Sequence, residues 1–257
     1  MNVVRIWTIA ANGFREVIRD RIFYIIGFFT LVLIIALRLL PEVALSADKK
    51  IFLDFGLGAI GFLSALVAIF VGTGLVNKEI EKRTVLVLIP KPLTRAELIV
   101  GKHLGLVAVL ATLVAVMTAI YLSLLGLSQI YYPTGTILIS LLYLLIELGL
   151  IIAVALMFGV LTSSILGTLL TFGVYLMGHF SQDLVELSKI TENPGIELLT
   201  QALYLIIPDL SRLNLRDEAV YGLLPAPVTL WSNALYGIIY TVLLLAITIF
   251  IFSRREF

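Results

Sequence analysis

Long apolar runs constrain this chain more than any other feature. Residues 22–40, 55–76, 104–125, 137–161, 165–180 and 230–252 are mainly hydrophobic. A membrane-crossing helix needs about 20 such residues. In lipid, only helices and closed barrels satisfy every backbone amide internally. Unalternating runs of this length belong to helices. Composition agrees, with 60% apolar and 14% charged residues, against about a quarter charged in a soluble domain. The sequence therefore predicts an all-α integral membrane protein, a single transmembrane domain over 1–257 with six spans. The first run is too long for a signal-peptide core and reads as an uncleaved anchor. The fifth is short and carries Gly167, Gly173 and Gly178, small residues that let helix backbones approach closely. A further apolar stretch, 196–207, has 12 residues and ends at Pro208. It is too short to cross and reads as a re-entrant or interfacial helix.

Charge sets the expected orientation, because Lys and Arg near span ends favour the cytoplasmic side. With six spans, one side holds the N-terminus, the 77–103 loop and the C-terminus. That side carries 12 of the 18 basic residues. The acids Asp183, Glu186, Glu192, Glu197, Asp209, Asp217 and Glu218 lie in the opposite segment, 181–229. Both termini are expected in the cytoplasm and 181–229 outside. Ahead of the first span, Val3, Trp7, Ala10, Phe14 and Val17 form one helical stripe. Arg5, Thr8, Asn12, Arg15 and Arg19 form another. This is the pattern of a helix over 3–20 lying in the membrane interface. Arg254 and Arg255 read as a cytoplasmic stop.

The 77–103 loop is an island of charge and proline. Asn77 can cap a helix carrying Lys78, Glu79, Glu81, Lys82 and Arg83. Glu79 pairs favourably with Arg83 at i,i+4. The helix turns apolar over 85–89, with Val85, Leu86, Leu88 and Ile89. Pro90 and Pro92 end it by removing amide donors. Thr94 and Glu97 form a T-x-x-E capping box that starts the next helix, running through Lys102 and His103 into the third span. An apolar patch flanked by charge needs cover, from lipid or a partner protein. Plain connections are about 4–6 residues long. The length and the caps of this one favour partner docking.

Other chemistry is sparse. Glu147 lies near the middle of the fourth span, where a buried acid is costly and marks a functional hypothesis. Its alternatives are gating or packing in the bundle interior, or a structural hydrogen bond to a neighbouring Ser, Thr or Tyr. No Lys or Arg partner is evident in the spans. His179 reads as an interfacial residue, since one His is a poor metal signal. The absence of Cys excludes thiolate metal sites and disulfides. GKHLG at 101–105 lacks the spacing of a phosphate loop. No Ser/His/Asp or HExxH arrangement is present, so no catalytic, cofactor or metal site is expected in this chain. There is no basic stripe for nucleic acid.

NKEIEKRTVLVLIPKPLTRAELIVGKHLG at 77–105, ALYLIIPDLSRLNLRDEAVYG at 202–222, the FSRREF ending and the six-span layout together resemble type-2 ABC exporter permeases. Among them the chain most resembles the permease branch of nitrous-oxide-reductase maturation transporters. The resemblance covers nearly the whole chain. It implies a non-catalytic permease in a homodimer, driven by two copies of a separate ATPase that binds ATP and Mg. It implies that 81–89 is a coupling helix docked on that ATPase, with Lys91, Pro92, Thr94, Arg95 and Glu97 forming the turn behind it. The region before the last span would form short re-entrant helices on the outer side. Membrane lipids are partners, and an outer accessory protein is left open. Two alternatives stand beside this reading: a secondary transporter or channel using Glu147, and a membrane scaffold recruiting partners through the island.

Overall fold

The computed structural model describes residues 2–20, 22–43, 48–81, 94–181, 200 and 206–254. Among these the regular structure is all helical, with eight α-helices, one 3₁₀ turn and no strand. The helices are α1 (Val3–Asp20), α2 (Ile22–Val43), α3 (Asp48–Glu81), α4 (Arg95–Leu127), α5 (Thr134–Leu161), α6 (Ser164–His179), α7 (Arg216–Tyr221) and α8 (Pro227–Arg254). The 3₁₀ turn is Leu210–Leu213. Of the expected docking residues, Arg83, Val85, Leu86, Leu88, Ile89, Lys91 and Pro92 lie outside the described residues. So does most of the expected re-entrant segment 196–207.

Among the described residues, four helices are long and apolar enough to cross a membrane: α4, α5, α8 and the Lys50–Leu75 part of α3. The 22–40 run corresponds to α2, which meets α1 at a 54° bend. The 165–180 run corresponds to α6, whose 16 residues fall short of the usual crossing length.

α5 is the central helix. Every residue from Glu147 to Leu156 is buried, which is how a helix apolar all round behaves inside a bundle. α8 lies at the edge, and its Val228, Trp231, Leu235, Ile238 and Val242 are exposed. Lipid is the natural solvent for such a face. Glycine sets two of the tightest crossings. A Cβ on Gly72 of α3 would stand 2.7 Å from the Ala155 Cβ of α5. The Tyr121 ring of α4 occupies the space over Gly56, and its hydroxyl donates to the Leu53 carbonyl at 2.9 Å. Polar side chains inside the helices mostly bond the carbonyl one turn back, as Thr248 does to Leu244 at 2.7 Å. That arrangement satisfies a hydroxyl without any second helix.

Two sequence expectations change in the structure. Asn77 does not begin a helix: α3 continues through it to Glu81. The buried Asn77 amide donates to the Thr73 carbonyl at 3.2 Å, so packing overrides its capping preference. The apolar stripe of α1 also divides. Ala10 and Val17 are buried against the bundle, whereas Val3 and Trp7 stay more than 70% exposed. α1 packs on the first turns of α4, where Gly105 approaches Ala10: a Cβ there would lie 2.7 Å from the Ala10 carbonyl oxygen. Gly101 meets Ile9 in the same way, at 2.8 Å. A surface helix that packs on protein along one edge leaves only its remaining apolar side for the membrane interface.

Candidate functional site

The bundle has two ends. One carries α1, the end of α3 and the start of α4. The other carries the 3₁₀ turn and α7, which form a cap. Each end has its own polar cluster.

At the α1 end, Thr94 caps α4. Its hydroxyl accepts from the Glu97 amide at 3.2 Å, and Glu97 Oε2 accepts from the Thr94 amide at 3.0 Å. This is the reciprocal box expected from the sequence. Glu97 does more than close it. Its Oε1 accepts from the Asn2 amide at 2.7 Å, tying the start of α1 to the start of α4. Arg95 donates to the Phe252 carbonyl, and its guanidinium lies 5.6 Å from the Phe252 ring centre. The end of α8 is thereby held to the same turn. Lys102 Nζ donates to the Leu75 carbonyl at 3.3 Å, so α3 and α4 run side by side here. His103 Nε2 stands 2.9 Å from the Gly149 carbonyl. A carbonyl only accepts, so Nε2 donates and α4 is pinned to α5. α1, α3, α4 and α8 thus converge on the residues flanking 82–93, and His103 adds α5 further along α4. Glu79 and Glu81 lie in the last turn of α3, and Arg95 and Glu97 in the first turn of α4.

At the cap end, a cavity of about 190 Å³ opens between α3, α5, α6 and the cap. Its polar lining comprises Ser140, Glu147, Tyr175, His179, Asn214 and Arg216. Glu147 is 4% exposed and His179 Nε2 lies 3.4 Å from its Oε1. His179 Nδ1 lies 3.1 Å from the Tyr175 carbonyl, and the two rings are 4.6 Å apart. Arg216 pairs with Asp54 of α3 at 2.8 Å. Gly58 makes room for this guanidinium, since a Cβ there would meet Arg216 Nη1 at 3.0 Å. The cap is fixed by Asp209, which accepts from Ser181 and from Arg212 Nε, both at 3.0 Å. Gly178 lets this turn in: a Cβ there would lie 2.7 Å from the Pro208 carbonyl oxygen.

Sequence reasoning found Glu147 but not its neighbours. His179, read from the sequence as interfacial, is the partner of Glu147. The signal was available in the hairpin. Glu147 lies 14 residues before the end of α5 at Leu161, and His179 lies 15 residues after the start of α6 at Ser164. At 1.5 Å per residue both stand about 21–23 Å from the shared link. Two antiparallel helices with so short a link bring such positions level. Arg216 had no comparable signal, because the chain between α6 and the cap has no readable register.

Among the described residues no group of three or more His, Cys, Asp or Glu could hold a metal ion. A family model described as ABC-2 family transporter protein matches residues 7–257. No curated protein matches the chain significantly.

Proposed function

The chain belongs to the ABC-2 transporter family, and from that premise we propose that it is the permease of an ATP-driven exporter, coupled to its ATPase through the segment around 82–93. Membership makes it a multi-pass membrane subunit that works with an ABC ATPase rather than an enzyme in its own right. The finer assignments are ours. α2, α3, α4, α5, α6 and α8 are six spans, with α6 ending short beneath the cap. The α1 end faces the cytoplasm with both termini, and the cap faces outward. Residues 81–89 form the coupling helix, with Val85, Leu86, Leu88 and Ile89 as the apolar contact. Two copies of this chain stand on two copies of the ATPase, which carries the ATP and Mg. The resemblance to the nitrous-oxide-reductase maturation branch supports this layout.

One observation carries the mechanism: the anchoring of both flanks of 82–93. The Glu97 box holds α1 to α4, Lys102 holds α3 to α4, and Arg95 holds α8. A push on the segment is therefore delivered to α1, α3, α4 and α8 together. α3 then carries it to the cavity, whose wall it forms with Gly58 and Gly61. ATP binding draws the two ATPases together, moves the segments and shifts the helices along the permease interface.

The test is co-purification of the chain with its ATPase. Wild type should retain the ATPase, and Val85→Asp or Leu88→Asp should lose it while still inserting in membranes. Retention in both variants removes the coupling-helix assignment. A second reading rests on the Glu147 cavity and makes the chain an ion-coupled carrier or channel. Ion flux from the purified chain in vesicles, without ATPase, would favour it.

A further inference from the structure

We propose that Glu147 and His179 together form a proton-binding site inside the bundle, served by the cavity beneath the cap. The His179 ring defines this site, which is independent of how the ATPase docks. Nδ1 lies 3.1 Å from the Tyr175 carbonyl oxygen. A carbonyl can only accept, so Nδ1 carries a hydrogen. In a neutral imidazole the other nitrogen is then a bare acceptor. That nitrogen, Nε2, faces Glu147 Oε1 at 3.4 Å. An ionised carboxylate is also only an acceptor. Two sets of lone pairs facing each other repel, so a proton held between them is what makes this 3.4 Å approach favourable. It sits on Nε2 and is shared toward the carboxylate, or it sits on Glu147 and is shared toward Nε2. Both forms have the same composition and the same net charge of zero.

Burial points the same way. Glu147 is 4% exposed within ten consecutive buried residues of α5. A lone charge at such depth is costly. A neutral proton-sharing pair avoids that cost. The surrounding charges do not substitute for the proton. Arg216 is paired with Asp54 from α3. Asp209 of the cap is bound by Ser181 and Arg212. The remaining titratable group in the lining is the Tyr175 phenol. The cavity supplies the route, because 190 Å³ is many times the roughly 10–15 Å³ that one water requires. Waters there can hand a proton to or from the pair.

Loss of the proton has a mechanical consequence. It leaves two acceptors opposed and a charge in an apolar bundle, so the cap end of α6 loses its hold on α5. α6 is short and ends at His179 itself. The contact makes the position of that end depend on pH.

The experiment uses the full chain, with ¹⁵N-labelled histidine, in lipid bilayers. Solid-state NMR reads the protonation of each imidazole nitrogen across a pH series. The chain has two His residues, so the His179→Gln spectrum assigns the signals by difference. His179 Nδ1 is expected to stay protonated throughout, while Nε2 passes from a proton-sharing to a bare state as pH rises. In Glu147→Gln the carboxyl is gone, and the Nε2 transition should move by about one pH unit or more. Two results overturn the proposal. One is a bare Nδ1 with a protonated Nε2 at every pH, which wild type alone decides even if the variant does not fold. The other is an Nε2 transition that Glu147→Gln leaves in place.

Discussion

Thr94 and Glu97 show how much a single turn can hold. The pair caps α4, and Glu97 also receives the start of α1. Thr94→Ala removes the acceptor for one helix-start amide and should cost about 1 kcal/mol. Thermal unfolding in detergent should fall for Thr94→Ala and be restored in Thr94→Ser, which keeps the hydroxyl. This box was legible because its parts are three residues apart and act locally. Glu147 is the opposite case. Its position was legible, but its partner is in another helix and is set by the register of the α5–α6 hairpin. Glu147→Gln keeps the size of the side chain and a hydrogen-bonding group. Glu147→Leu leaves the His179 ring facing apolar atoms. ATP hydrolysis by the reconstituted complex should fall in both variants, more in Glu147→Leu. Wild-type assembly and activity in both would remove any role for this acid in assembly or in coupled turnover.

Helix α1 looked like a membrane-surface element from its two stripes, and the structure makes it partly a packing element. The reason is α4: Gly101 and Gly105 present bare backbone to Ile9 and Ala10. A stripe of apolar residues cannot by itself say whether lipid or protein will cover it. The glycines four apart on α4 were the missing information. Gly105→Leu drives a side chain into the Ala10 carbonyl and should lever α1 away. The chain has no Cys, so an Ala10→Cys variant gives a clean reporter. Ala10 is 7% exposed, and maleimide labelling should be slow with Gly105 and severalfold faster with Gly105→Leu. Equal rates would mean that α1 is held elsewhere. The termination of α3 misled in a similar way. Asn77 has the chemistry of a cap, but a helix already packed against Gly159 keeps going. Tertiary packing outranks a cap preference of about 1 kcal/mol.

For the whole molecule, the apolar runs determined nearly everything about class, because lipid leaves a chain of this composition little choice but helices. They could not determine which helix would be central. α5 and α8 are both long and apolar, and only packing separates the buried one from the exposed one. The two ends of the bundle are joined. Four helices are tied together beside 82–93, and α3 runs from that knot to the wall of the Glu147 cavity. If force enters at the knot, loosening it should uncouple ATPase docking from turnover. Arg95→Ala, which releases α8 from the knot, should leave the ATPase bound but lower its stimulated activity by severalfold. Normal stimulation would place the path elsewhere. In this mechanism the ATPase meets the chain at 81–89. Capture of the ATPase on membrane-inserted wild type, Val85→Asp and Leu88→Asp in parallel checks that contact. Capture by wild type and its loss in both variants, at equal permease levels, is expected; undiminished capture by the variants would place the contact elsewhere.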